Sequence, residues 1–433
     1  MPFAVQGHRV ADRNLPAWSR TTLQAGAVAV FVQTPTSAEL YKYVPNHRPP
    51  LLSILVIVIT FVATMLLFTS LERNEAWRRF AASRGVTVAL LGGLTALSPI
   101  AYHLWAHHLP KGTSASAVTL AMTLPVHALL HGHHLYDIAL PASVPASPGP
   151  GWILLNAPFT LIRASWLLIP FWVTAAAVTV RIAFRRGLEV NVALVLLASS
   201  PHFVRMLAEN QDLLIVPCAM IVAVVVAIRW VRSMPATAVL GLFAGVVATS
   251  RLIYIAFPAV LGLIAWRRSR RLAVTVTIIG IGTAAACHLV ASIGIHPYPP
   301  AHLFGRASVK EPTLNIAIGA VVTTAVILGL IMRYVRHRDN TWLCWLAGSW
   351  AIAHSFIGIG ELAGSHWSFK YWEGANYVFV GAVPVVAAVM AWRAWSAPPA
   401  SAATRVPAPL DAQAPAAVWP PALSGRRGLR DLD

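Results

Sequence analysis

The stretch LLSILVIVITFVATMLLFTS, residues 51–70, is apolar almost throughout and carries no charge, and runs like it recur to residue 393. Coiled as an α-helix, about 20 residues match the hydrocarbon thickness of a bilayer. In lipid every backbone N–H and C=O must be satisfied within the protein, which a helix does inside a single segment. The whole chain is 57% hydrophobic and 11% charged, against roughly 25% charged residues in a soluble domain. The fold class expected is therefore an all-α polytopic membrane protein.

Eleven spans are predicted: 51–69, 86–106, 166–184, 190–205, 212–230, 235–250, 252–266, 272–292, 314–332, 341–359 and 375–393. The apolar segments 115–130 and 152–164 are shorter and interrupted, and read as interfacial helices. Residues 1–50 form a mixed, polar N-terminal extension without the early apolar core of a signal peptide. Residues 51–85 add a membrane segment and a basic loop, 86–395 the main transmembrane domain, and 396–433 an Ala-, Pro- and Arg-rich cytoplasmic tail. Such a tail buries too little apolar surface to offset its chain entropy and is expected to be disordered.

The net charge of +18 is distributed unevenly. Loops 71–84, 181–187, 229–233, 267–271 and 333–339 hold sixteen basic residues, including Arg267, Arg268, Arg270 and Arg271. The opposite loops hold seven, counting Arg205 and Arg251 at the span ends. By the positive-inside rule the first set is cytoplasmic, so the charge reads as membrane orientation and not as a nucleic-acid surface. Loops 107–165, 206–211, 293–313 and 360–374 then face outward from the cytoplasmic membrane, and with 51–69 spanning, residues 1–50 do too. Cys218, Cys287 and Cys344 each lie in an apolar segment, which argues against a disulfide framework or a thiolate metal site.

Four outward constellations carry candidate chemistry. The first is HGHHLYDIALPASVPASPGPGW, residues 131–152, inside a loop far longer than ordinary connections. His127 and His131 lie one helical turn apart and His133 follows, a spacing that could hold a divalent metal; as surface residues they could equally only hydrogen-bond. No cofactor is required by the sequence. His134, Tyr136 and Asp137 come next, and Trp152 suits a membrane interface. The second is AENQD, with Arg205 just before it. Glu209 and Asp212 are carboxylates at a membrane boundary, costly unless paired and so functional candidates, although a polar hairpin with Asp212 as helix cap fits as well. The third is Arg251, either a phosphate clamp or a turn residue reaching the interface. The fourth, ELAGSHWSFKYWEGANY, gathers His366, Lys370 and Glu373 among aromatics. That composition suits either a carbohydrate platform or an aromatic belt.

The layout of these features resembles the GT-C superfamily of membrane glycosyltransferases. The resemblance rests on HALLHGHHLYDIALPASVPASPGPGWILLNAPF (residues 127–159), on ENQD before a span and on ATSRLIYIAFP (248–258), and it covers residues 86–393. It implies transfer of a sugar from a polyprenyl-phosphate donor to a lipid or glycan acceptor on the outer face. A carboxylate would deprotonate the acceptor hydroxyl and basic residues would hold the lipid phosphate. Family members carry that acid early in the first outer loop, whereas KGTSASAVTLAMTLP here has none. The resemblance therefore assigns the acid–base role among Asp137, Glu209 and Asp212. It assigns substrate and phosphate contacts to Arg205, Arg251, Tyr136, Trp152, His366, Lys370 and Glu373. The rival readings are a transporter or flippase, and a non-catalytic GT-C relative acting as a membrane partner.

Overall fold

A computed structural model describes residues 17–43, 49–107, 116–140, 146–185, 187–251, 254–295, 298–301, 318–319, 322, 341–369, 372 and 374–396. Among the described residues the regular structure is helical, with no strand. Five helices are long and apolar enough to cross a membrane: Leu51–Leu71, Arg84–Ala106, Ser165–Phe184, Asp212–Arg229 and Arg270–Ser292. They match five of the expected spans within two residues at each end. Their outer faces carry exposed Leu51, Ile54, Leu97, Ile100, Ile278 and Leu289, which is the surface expected of helices solvated by lipid.

In chain order the helices are α1 (Ala17–Gln33), α2 (Thr36–Tyr43), α3 (Pro49–Arg73), α4 (Glu75–Ala81), α5 (Arg84–Ala106), α6 (Ala117–Leu130), α7 (Pro150–Leu161) and α8 (Leu168–Phe184). There follow α9 (Gly187–Ala198), α10 (Pro201–Ala208), α11 (Asp212–Arg229), α12 (Met234–Ala248), α13 (Phe257–Trp266), α14 (Arg270–Ser292), α15 (Thr341–Gly364) and α16 (Ala375–Ser396). The two segments read as interfacial helices appear as α6 and α7. The expected spans 235–250 and 252–266 are the shorter apolar helices α12 and α13. Of the expected span 314–332 only residues 318, 319 and 322 are described, and the tail from 397 lies outside the described residues.

The structure corrects two expectations. The segment 190–205 is not one straight span: α9 and α10 meet at 80°. Pro201 supplies no N–H to the helix before it and drives Ser200 into extended backbone (φ −83°, ψ 122°). Nor is the 1–50 segment merely an extension. Ala25, Val28, Ala29 and Val32 of α1 are buried in the main core, and α1 lies so close to α3 that a Cβ on Gly26 would stand 2.5 Å from Phe61. The α9–α10 break is where the two corrections meet. Gln33 donates to Ser199 Oγ (3.2 Å) and Thr36 donates to Gln33 Oε1 (2.9 Å), with Thr36 Oγ1 3.4 Å from Ser200 Oγ. Polar groups from the N-terminal helices thus satisfy a helix break that would otherwise be left bare in an apolar setting.

Elsewhere small residues allow close packing, as helices in lipid require. A Cβ on Gly245 of α12 would fall 2.4 Å from the Gly280 carbonyl of α14. Serine side chains cap the starts of α5, α6 and α12: Ser83, Ser116 and Ser233 accept from Val86, Thr119 and Ala236 N–H.

Candidate functional site

The AENQD turn is the hub. It joins α10 to α11 through Asn210, whose φ of 53° is left-handed, a conformation asparagine tolerates better than most residues. The Gln211 N–H returns to the Met206 carbonyl at 2.8 Å. The tight reversal throws Glu209 to one side and Asp212 to the other, and each finds an arginine.

On the first side Arg205 Nε donates to Glu209 Oε1 (2.8 Å), and Gln211 donates to Glu209 Oε2 (2.8 Å). Arg205 Nη1 also donates to Glu39 Oε1 at 2.6 Å, and His202 Nδ1 donates to the same oxygen at 2.8 Å. Glu39 comes from α2, in the segment read as an extension. Burial alone would raise its carboxyl, but the His202 hydrogen bond and the Arg205 charge outweigh burial and hold it below its ordinary value.

On the second side Arg251 and Asp212 form a two-armed pair: Nη1 to Oδ2 and Nη2 to Oδ1, both 2.8 Å. Asp212 is 0% exposed and Arg251 7%. Burial works against the guanidinium charge, yet Asp212 overcomes it and raises the Arg251 value. Tyr254 lies one turn on, fully buried. Its hydroxyl is 3.2 Å from His354 Nε2, while His354 Nδ1 donates to the Trp350 carbonyl at 2.8 Å. That second bond fixes the proton on Nδ1, so Tyr254 is the donor to Nε2.

The loop 107–165 docks onto both sides of this hub. Ser116 and Thr119, at the start of α6, both donate to the Glu209 carbonyl (2.7 and 3.0 Å). The PGPGW turn seats on the end of α12, where Trp152 N–H donates to Thr249 Oγ1 at 2.8 Å. A Cβ on Gly149 would lie 2.0 Å from the Thr249 carbonyl, and one on Gly151 3.0 Å from its hydroxyl. Gly149 thus serves contact with another backbone and Gly151 contact with a side chain, neither through a special φ. Tyr136 donates to the Pro148 carbonyl (2.9 Å) and meets Tyr298 edge-on, with centroids 5.5 Å apart. Burial, and then Tyr298, raise the Tyr136 phenol, while the Arg251 charge works the other way. Burial lifts Tyr298 to about 12. From the fourth loop, Phe369 stacks on Tyr41 of α2, and Trp372 donates to the Gly358 carbonyl. Segments from all four outward-assigned loops, and α2, thus gather at one end of the bundle.

The candidate residues sort into three groups there. Arg205, Glu209, Asp212 and Arg251 are brought together, but in ion pairs: both terminal nitrogens of Arg251 are engaged, Arg205 is held through Nε and Nη1, and both carboxylate oxygens of Glu209 and of Asp212 have a partner. Tyr136 and Trp152 are buried supports of the loop. Asp137 stands apart, 68% exposed at its side chain and 3.8 Å from His133 Nδ1. The three candidate acids therefore do not share one position. His127, His131 and His133 do not build the metal site that their spacing allows: among the described residues no group of three His, Cys, Asp or Glu could hold a metal ion. Instead His131 Nδ1 donates to the His127 carbonyl at 2.7 Å. His366 is exposed on the left-handed turn after α15. Lys370 and Glu373 lie outside the described residues.

Sequence reasoning missed Glu39, His202, Tyr254 and His354. Glu39 offered one signal, a lone acid in TSAELYKY close to an apolar run. The others sit in apolar stretches where only the third dimension gives them partners. Comparison with known proteins finds no family model that matches the chain, and no curated protein or solved structure similar to it.

Proposed function

We propose that the chain is a multi-pass membrane glycosyltransferase of GT-C type. It transfers a sugar from a polyprenyl-phosphate donor to a lipid or glycan acceptor at the end of the bundle built around residues 209–212. Eleven spans, a plasma-membrane location and an outward-facing site belong to this reading. The observation that carries it is the docking of the first outer loop on that hub, through Ser116, Thr119, Trp152 and Gly149, with an unburied carboxylate at its edge. A general base must reach an acceptor hydroxyl directly or through one water. Asp137 is the loop acid with open lone pairs, next in the chain to Tyr136, whose phenol feels the charge of the paired Arg251. Glu209 and Asp212 act as positioning residues that hold Arg205 and Arg251, and with them the platform under the loop.

The test is transfer of a labelled sugar from polyprenyl phosphate in membranes carrying the protein. Transfer that falls on substitution of Asp137 supports the assignment. Full transfer with alanine at Asp137, Glu209 and Asp212 together would sink it. Uptake of a solute into vesicles without any glycosyl transfer would favour the transporter reading instead.

A further inference from the structure

The opposite end of the bundle carries a second built feature. Residues 229–233 link α11 to α12 and residues 267–271 link α13 to α14; neither segment, nor 181–187 beside them, contains an acid. Arg268 clasps the two links. Its guanidinium donates to the carbonyls of Ala227 (3.2 Å) and Ile228 in the last turn of α11, where a cation also suits the helix dipole, and to that of Val231 (2.6 Å) in the link that follows. Phe184, at the end of α8, lies under Arg229 (5.2 Å to the ring centroid) and brings the third segment alongside.

Around this clasp Arg185, Arg232, Arg270 and Arg271 are exposed. Trp230 and Trp266 are about half exposed, at 47% and 48%, and Arg270 stands 5.5 Å from the Trp266 ring. Partial burial, and then the charges of Arg232 and Arg229, push Arg268 below its ordinary value. Arg268 thus stands close enough to Arg232 and Arg229 to feel their charge, and segments 229–233 and 267–271 contain no acid.

We infer that this end binds the phosphate headgroups of anionic phospholipids, with Arg232, Arg270 and Arg271 as the contacts and Trp230 and Trp266 as interfacial anchors. A lipid surface fits better than a soluble polyanion for two reasons. The arginines cap the apolar helices α11 and α14, whose length matches a bilayer, and exposed tryptophans beside them suit the headgroup level. Guanidinium pairs with phosphate through two hydrogen bonds at once. Each basic residue near an anionic leaflet contributes about fivefold in affinity.

The experiment uses the full chain in nanodiscs of mixed phosphatidylcholine and phosphatidylglycerol, released into a mass spectrometer to count the lipids retained. Phosphatidylglycerol is expected to be enriched. The R232Q/R270Q/R271Q variant should lose at least about tenfold of that preference, and the charge-preserving R232K/R270K/R271K variant should keep most of it. Unchanged helical circular dichroism in both variants guards against misfolding; an unfolded glutamine variant is replaced by the single variants R232Q and R271Q. No enrichment in the native chain, or equal enrichment in the native and glutamine proteins, would overturn the inference. So would the same arginines binding a short RNA without any lipid preference.

Discussion

At one end of the bundle Arg205 and Arg251 are held by Glu39, Glu209 and Asp212; at the other Arg232, Arg270 and Arg271 stand exposed in segments with no acid. The contrast follows from solvation. A guanidinium removed from water needs a partner of opposite charge, because desolvation otherwise costs several kcal/mol. One left at the surface keeps its water or meets headgroups. Substitution at the two ends should therefore read out differently: as stability where charge is paired and buried, and as lipid preference where it is not.

The sharpest test of the paired end is R251M. It leaves Asp212 as a bare carboxylate with no exposed surface, and removal of one partner of a buried pair costs roughly 3–5 kcal/mol. The midpoint of thermal unfolding in detergent should fall steeply, and D212N on the same background should restore much of it. A loss below about 1 kcal/mol for R251M alone would break the contrast between the ends.

Next comes the turn that seats the loop. G149A drives a methyl group into the Thr249 backbone carbonyl, 2.0 Å from the ideal Cβ. A backbone atom cannot swing aside as a side chain can, so a cost of about 1–3 kcal/mol is expected, as for overpacking elsewhere. Protease cleavage between residues 131 and 149 should quicken in the variant. Unchanged cleavage would mean that the loop is not held by this contact.

Comparable in size is E39Q. The Glu39 carboxyl is held below its ordinary value of 4.5, so its contribution is complete above that pH and is lost as the pH falls through the depressed value. Hydrogen bonds to a charged group contribute about 1.5–3 kcal/mol. The native chain should thus lose stability towards pH 3 more steeply than E39Q, and the two curves should converge in acid. Parallel curves would remove Glu39 from the charge network.

How far these features could be read beforehand depended on their range. The long spans were legible because a run such as 270–292 forms its helix from its own residues. That these four loops share one end of the bundle was legible as well, because charge asymmetry along the chain sorts the loops by side. Pairings were not. Arg251 and Asp212 are thirty-nine residues apart, and Arg205 meets a carboxylate from a segment that looked like an appendage. The histidine spacing of 127, 131 and 133 suggested a metal because spacing alone cannot tell a ligand from a ring that donates to the previous turn's carbonyl, as His131 does. The glycines of the PGPGW turn permit a close backbone approach, and only the fold reveals Thr249 as the partner.

The smallest expected effect on stability is the one that bears most on function. Asp137 is largely exposed and has no close partner beyond His133 at 3.8 Å, so D137N should change unfolding by no more than about 0.5 kcal/mol. If Asp137 is the general base, sugar transfer should nonetheless fall by roughly 10²–10⁴-fold. This separation is what Asp212 cannot offer, since its loss would lower folding and activity together and leave its role ambiguous. A D137N protein that folds like the native chain and transfers sugar at the native rate would move the base to Glu209 or Asp212. Either residue would then have to leave its present partner, Arg205 or Arg251, during turnover, and the paired end would be a resting arrangement that opens when substrate binds.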